Sequence, residues 1–278
     1  MICFRLLDAK DPAQPLADAV QALAQGAATQ DTYAVDPASF RHVPNAPFAY
    51  WVSDTIRKLF TTLPPFENEE RTAKQGLATA DDFRFVRTAW ETPITPEELT
   101  QRNWYHFAKG GSYSPFYADI HLKVNWADQG NEIKHFGDPS GMKPNSRPQS
   151  TDYYFRPGLT WSVYTTKDLS VRALPKNCIL SHVGGAAFTD DNCEKEMLFL
   201  ASSKAFRFLL SLTLGLADTG RRVYGVGSIS ITPFALSQRA KPNLAISAYR
   251  IHRIPDTANA NSHAFVAPAL APQKTHLS

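Results

Sequence analysis

Between residues 71 and about 190 the chain is built from short aromatic and β-prone runs, at 83–90, 118–126, 152–156, 159–166, 169–174 and 177–183. Gly, Pro, Asn and Asp break up these runs. β-Branched and aromatic side chains suit a pleated, half-buried surface, and the punctuating residues supply turns. Such spacing predicts a sheet of short strands. Twenty prolines against fourteen glycines likewise favour loops and strands over a helical bundle.

Helical patterns flank this region. In "PAQPLADAVQALAQGA", residues 12–27, Leu16, Ala19, Val20 and Leu23 fall on one face, and Gly26 can stop the helix. A second helix is predicted from Ser53, its N-cap, through Ile56 and Leu59, ending before "LPPF". "VDPASFRHVPNAPF" between them reads as loop, and the charged "ENEERTAKQ" (67–75) as a solvated connector. A further helix is expected over 192–214, with Asp190 or Asp191 as N-cap and Gly215 near its end. "RRVYGVGSISITPF" reads as one or two strands leading to Pro233. The polar span 128–152 is too long for an idle connection, and loops of that length are usually functional or disordered.

The expected fold is α+β: a twisted, largely antiparallel sheet with packed helices, flanked by helical segments. Residues 1–70 form a helical connector or docking segment, 71–235 the principal domain and 236–278 a C-terminal helix and tail.

The net charge of +3 is too small to name a partner, but it is unevenly spread. Residues 1–70 carry 5 basic against 9 acidic side chains, 71–240 carry 20 against 16, and 241–278 carry 4 against 1. The basic excess after residue 70 suggests an anionic ligand there. Cys3, Cys178 and Cys193 make no CxxC, which favours a reducing compartment. Cys178, His182 and Cys193 lack a suitable fourth zinc ligand, so no metal is expected. "MICFRLLDAKD" has no signal-peptide features. The apolar run Met197–Ala217 carries Lys204 and Arg207, each costing about 2.5–3.5 kcal/mol at a bilayer centre. A cytoplasmic protein without a membrane partner is expected.

Catalytic plans find little purchase. A methyltransferase using S-adenosylmethionine needs a glycine-rich turn opening a helix, then an acidic residue for the ribose. The G-x-G of "YGVGSIS" precedes a β-prone run and reads as a turn. Adenine N6 methylation needs Asn, Asp or Ser, then Pro-Pro and an aromatic. Ser114-Pro115-Phe116-Tyr117 and Asn45-Ala46-Pro47-Phe48 both break the Pro-Pro, and turn chemistry explains both. No G-x-S-x-G, Walker loop or H-E-x-x-H is present. No catalytic residue and no bound cofactor are therefore assigned, and whether the chain is an enzyme stays open.

What remains is polyanion binding. Lys109, Lys123, Lys134, Lys143, Arg147, Arg156, Lys167, Arg172 and Lys176 are interleaved with Tyr105, Phe107, Tyr113, Tyr117, Tyr153, Tyr154 and Trp161. Cations neutralise phosphates and release counterions, and Arg, Lys, Asn and Gln can read base edges. Gly110-Gly111 allows backbone N–H groups to approach a phosphate closely.

The words "FRHVPNAPFAYWVSD" (40–54), "GLATADDFRFVRTAWE" (76–91), "WYHFAKGG" (104–111), "VNWADQGNEIK" (124–134), "RPQSTDYYFRPGLTWS" (147–162) and "NSHAFVAPAL" (261–270) follow in order. The series resembles the C-terminal, target-recognition half of adenine-specific DNA methyltransferases of BREX phage-defence (PglX-like) and type IIG restriction-modification systems. The resemblance implies that residues 71–235 are a target-recognition domain reading duplex DNA. The S-adenosylmethionine site and the catalytic motif would lie on a catalytic partner domain or a separate catalytic subunit. The family's "TGDN"-like element reads Ala78-Thr79-Ala80-Asp81-Asp82 here. Residue type and loop position nominate Lys109, Gly110, Lys134, Lys143, Arg147, Gln149, Tyr153 and Arg156 as DNA-binding residues. The competing expectations are an intact or degenerate methyltransferase, and an interaction protein or gene remnant without DNA affinity.

Overall fold

The computed structural model describes residues 1–92, 103–140, 142–190, 193–214, 222–235 and 242–257. Its α+β architecture contains two four-stranded sheets where the strand pattern suggested one. The first has the order β3-β11-β7-β9, with β3 at Arg71–Lys74, β11 at Gly184–Thr189, β7 at Gly158–Ser162 and β9 at Arg172–Leu174. All its neighbours are antiparallel. The second has the order β10-β5-β6-β4, with β10 at Cys178–Leu180, β5 at Trp104–Ala108, β6 at Leu122–Asn125 and β4 at Val86–Thr88. Here β10 and β5 run parallel, and the other pairs antiparallel. Two short ribbons pair β1 (Ile2–Phe4) with β2 (Thr32–Ala34), and β8 (Tyr164–Thr165) with β12 (Arg222–Val223).

β11 holds the layers together. Successive strand residues face opposite sides, and here Ala187 joins one core while Ala186 and Phe188 join the other. The first core lies under α5 (Glu194–Ala201), α6 (Lys204–Thr213), α7 (Val226–Ile231) and α8 (Pro242–Thr257), through Met197, Leu210, Ile229 and Ala245. The second gathers Leu77, Phe107, Val124 and Ile179. Every residue of β11 is buried. Its sequence, Gly-Gly-Ala-Ala-Phe-Thr, contains no Val or Ile, so propensity does not reveal it. Small residues are required because Trp161 fills the space beside Gly185, where a Cβ would sit 2.5 Å from the indole.

Several expectations change. The 67–75 connector contains β3, whose Arg71 and Ala73 are buried. Glu67 anchors it by accepting from Thr72 Oγ1 (2.5 Å), the Ala73 N–H (2.8 Å) and Ser230 Oγ (3.1 Å). The run 83–90 divides into α3 (Asp82–Phe85), β4 and a 3-10 turn at Ala89–Glu91, because Asp81 caps the helix by accepting from the Arg84 N–H at 3.0 Å. Residues 152–156 are not a strand: Thr151–Tyr153 form a 3-10 turn, and Tyr154 turns into the core. The described residues of the span 128–152 are folded, with α4 at Asn131–Lys134 burying Ile133, whose carbonyl accepts from Ser146 Oγ.

The helix expected over 192–214 is two helices. Ser203 is extended and caps α6, its Oγ accepting from the Phe206 N–H at 3.1 Å. Serine favours such caps over a helix interior. α5 is capped at Cys193, and Asp190 instead pairs with Arg156; Asp191 and Gly215 lie outside the described residues. "VGSISI" forms α7 rather than a strand, because burial of Ile229 against the first core overrides its β propensity.

α1 (Ala13–Ala24) and α2 (Asp54–Thr62) form where periodicity placed them, and Ser53 caps α2. Val43, Ala49 and Val52 pack with Leu212 of α6, which ties this N-terminal segment to the helical layer. Among the described residues no helix is long and apolar enough to cross a membrane.

Candidate nucleic-acid interface

β5 ends at Ala108, and the chain turns through Lys109-Gly110-Gly111. Gly110 and Gly111 have φ of +82° and +132°, a region that side chains rarely enter. Gly184 crosses directly beneath: a Cβ there would lie 2.2 Å from the Ala108 carbonyl oxygen and 2.9 Å from the Gly110 nitrogen. The Lys-Gly-Gly word is thus the bend that lets one sheet pass over the other.

Two concavities meet at Gly111. One, about 220 Å³, is lined by Lys109, Gly110, Asp119, His121, Thr160 and Arg172 among others. The other is an open groove of about 690 Å³ formed by Gly111, Ser112 and Tyr113 on one side and Tyr164–Lys167 on the other. Lys167 Nζ lies 5.9 Å from the centre of the Tyr113 ring, a cation–π contact.

Arg172 supports the turn from below. It is only 3% exposed. Its Nη1 donates to the Ser112 carbonyl at 3.1 Å and its Nη2 to Ser162 Oγ at 2.9 Å. Ser162 Oγ in turn donates to the Gly111 carbonyl at 2.8 Å. Burial pulls the Arg172 pKa down to about 10, so the group stays charged at neutral pH. Its hydrogen-bond partners are neutral oxygens rather than a carboxylate.

Beside the groove, Asp168 accepts from Arg207 (3.2 Å), Arg222 (2.9 Å) and the Tyr224 hydroxyl (3.0 Å). Two guanidinium groups surround one carboxylate, which leaves the rim positive.

The eight nominated residues do not form one patch. Lys109 and Gly110 sit at the turn. Burial lowers the Lys109 pKa, and its ammonium pairs with Asp82. Asp82 accepts from Thr79 Oγ1 at 2.5 Å, and neighbouring Ala78 exchanges backbone hydrogen bonds with Arg147 at 2.8 and 3.0 Å. Arg147 therefore shares the Lys109 edge, and Arg147 and Gln149 are exposed. Lys134 lies over the Trp126 ring at 5.1 Å. The Lys143 N–H donates to Asp138 at 2.8 Å, with Lys143 exposed. Arg156 pairs with Asp190 at 2.7 Å and stacks on Tyr153 at 5.1 Å and Phe188 at 5.7 Å. Tyr153 and Asp190 line a separate recess with Glu67, Glu69 and Glu70. That carboxylate-rich setting suits a phosphate poorly.

Tyr113, Lys167 and Arg172 belong to the wider set of cations and aromatics but not to the eight, and Tyr164 and Arg222 give no signal in the sequence. Arg172 meets Ser112 across 60 residues and Ser162 across 10, a convergence no local pattern encodes.

Ser114-Pro115-Phe116-Tyr117 is stitched to β9. Ser114 Oγ donates to the Tyr117 carbonyl at 2.6 Å, and Phe116, at φ +70°, exchanges backbone hydrogen bonds with Val171 (2.7 Å) and Ala173 (3.0 Å). Tyr117 is buried. Gly225-Val226-Gly227 does open a helix, contrary to expectation, but α7 has six residues. Among the described residues no group of three or more His, Cys, Asp or Glu side chains is placed to hold a metal.

No family model matches the chain. It is 24% identical over 196 residues to the adenine-specific methyltransferase PglX of Lacticaseibacillus casei (strain Zhang), covering 66% of this chain and 16% of that protein. It is 27% identical over 180 residues to the adenine-specific methyltransferase BrxX of Escherichia coli O9:H4 (strain HS), covering 62% of this chain and 14% of that protein. The chain is thus distantly homologous to adenine-specific methyltransferases and aligns with only a small part of their length.

Proposed function

We propose that the chain is a duplex-DNA recognition module of a BREX-type or restriction-modification adenine methyltransferase. Methyl transfer and S-adenosylmethionine binding would reside on a catalytic domain or subunit. The observation that carries this reading is the Lys109-Gly110-Gly111 turn between two concavities bearing Arg172 on one side and Tyr113, Tyr164 and Lys167 on the other. Cations neutralise the backbone phosphates, while exposed aromatic and polar side chains meet sugars and base edges. The homology to adenine-specific methyltransferases supports a place within that chemistry.

Fluorescence anisotropy with labelled duplexes tests the reading. Three neutralised phosphates predict an affinity loss of about 40-fold between 50 and 200 mM salt, from a slope of about −0.9 per phosphate. Selection from a randomised duplex pool is expected to enrich a defined sequence. Absence of binding at low salt, or saturable calorimetric binding of S-adenosylmethionine by this chain, would refute the assignment.

A further inference from the structure

The carbonyls of Gly111 and Ser112 both point toward the buried Arg172 side, one reached through Ser162 Oγ and the other directly. In a trans peptide the C=O and the following N–H point in opposite directions. The N–H groups of Ser112 and Tyr113 therefore project away from Arg172. Arg172 lines the smaller cavity, whereas Ser112 and Tyr113 line the open groove. Neither of these N–H groups has an acceptor among the described residues. The next amide is held: the Ser114 N–H donates to Ser170 Oγ at 2.9 Å. The loop is thus pinned on both sides, with two successive donors left without an acceptor among the described residues.

We propose that this groove is an oxyanion site for one phosphate group, held by the Ser112 and Tyr113 N–H groups and the Lys167 ammonium. Successive backbone donors form a concave nest with partial positive charge. Lys167, over the Tyr113 ring, adds a full charge to the same groove. The Asp168 carboxylate next to it is occupied by Arg207 and Arg222, so it does not repel an anion strongly. Arg172 and Ser162 are positioning residues: they touch the carbonyl side of the loop and set the direction of its donors. The site rests on the DNA reading only for the source of the phosphate, which is either a nucleic-acid backbone or a free anion.

The test is an amide-resolved NMR titration of the full chain, first with inorganic phosphate and then with a short duplex. Phosphate is expected to shift the Ser112 and Tyr113 amides saturably. Lys167→Gln, on an exposed side chain, should weaken that response at least about fivefold, as loss of one charge-assisted contact implies. Ser162→Ala should weaken it as well, by freeing the Gly111 carbonyl. A duplex that displaces phosphate from these amides identifies the backbone as the source. A duplex that leaves them untouched while phosphate binds identifies a free anion. Amides silent to both probes, or a Lys167→Gln response equal to wild type, would overturn the site. If those amides stay silent while the duplex binds elsewhere, the DNA reading survives without this site. If phosphate binds and no duplex does, the site survives without the DNA reading.

Discussion

Trp161→Ala is expected to destabilise the protein by about 3–5 kcal/mol, the range for deleting a buried tryptophan. The indole is 1% exposed, in the core under the helices. Its Nε1–H donates to the Tyr224 carbonyl at 2.8 Å, linking β7 to the segment that leads into α7. Removal opens a cavity in the first core, beside Gly185, and leaves that carbonyl without its donor. The loss is a large part of the 5–15 kcal/mol available to an ordinary domain. It also reaches the groove, because β7 continues into Ser162, the relay to Gly111. Urea denaturation checks the size of the effect. Trp161→Phe keeps most of the packing and should lose about 1–3 kcal/mol, the cost of an unsatisfied buried acceptor. Equal losses for the two variants would show that the hydrogen bond, and not the volume, governs this site.

The second large effect is expected at Gly184. An added methyl meets the Ala108 carbonyl oxygen at 2.2 Å and the Gly110 nitrogen at 2.9 Å, both of them backbone atoms that cannot rotate aside. Gly184→Ala must therefore displace either β11 or the exit of β5. Overpacking of this kind costs about 1–3 kcal/mol or more, and here it also moves the Lys-Gly-Gly turn. DNA and phosphate affinity should fall at temperatures where the variant is still folded. Gly227→Ala is the control. Its methyl meets nothing within 4 Å, and it lies within α7. It should be neutral or stabilising by up to about 1 kcal/mol, since alanine is the better helix former. Thermal melts and anisotropy on the pair separate local crowding from a general effect of replacing glycine.

Much of the secondary structure can be read locally, and the exceptions share one cause. α1 and α2 follow from apolar spacing and, for α2, the Ser53 cap; β7 and β10 follow from runs of apolar residues. β3 and β11 escape notice because Arg-Thr-Ala-Lys and Gly-Gly-Ala-Ala-Phe-Thr have weak strand propensity. β11 is a strand because β3 and β7 pair with it on both sides, and β3 because β11 pairs with it at the sheet edge. α7 is the reverse case, a β-prone segment turned helical against the first core. The site divides in the same way. The glycines at 110 and 111 are visible as a word, while the support that Arg172 gives them is not.

By itself the sequence determined the α+β class, the helix start set by Ser53, and the turn at Gly110-Gly111, all consequences of side chains acting on their own backbone. Only the tertiary structure decided how the cations are used. Lys109 meets Asp82 and Arg156 meets Asp190, so much of their charge is answered within the protein. Arg172 meets the neutral Ser112 carbonyl and Ser162 hydroxyl, and Lys167 meets the Tyr113 ring. A charge left unanswered depends on which distant segments the folded chain brings within a few ångströms, and residue type alone carries no record of that.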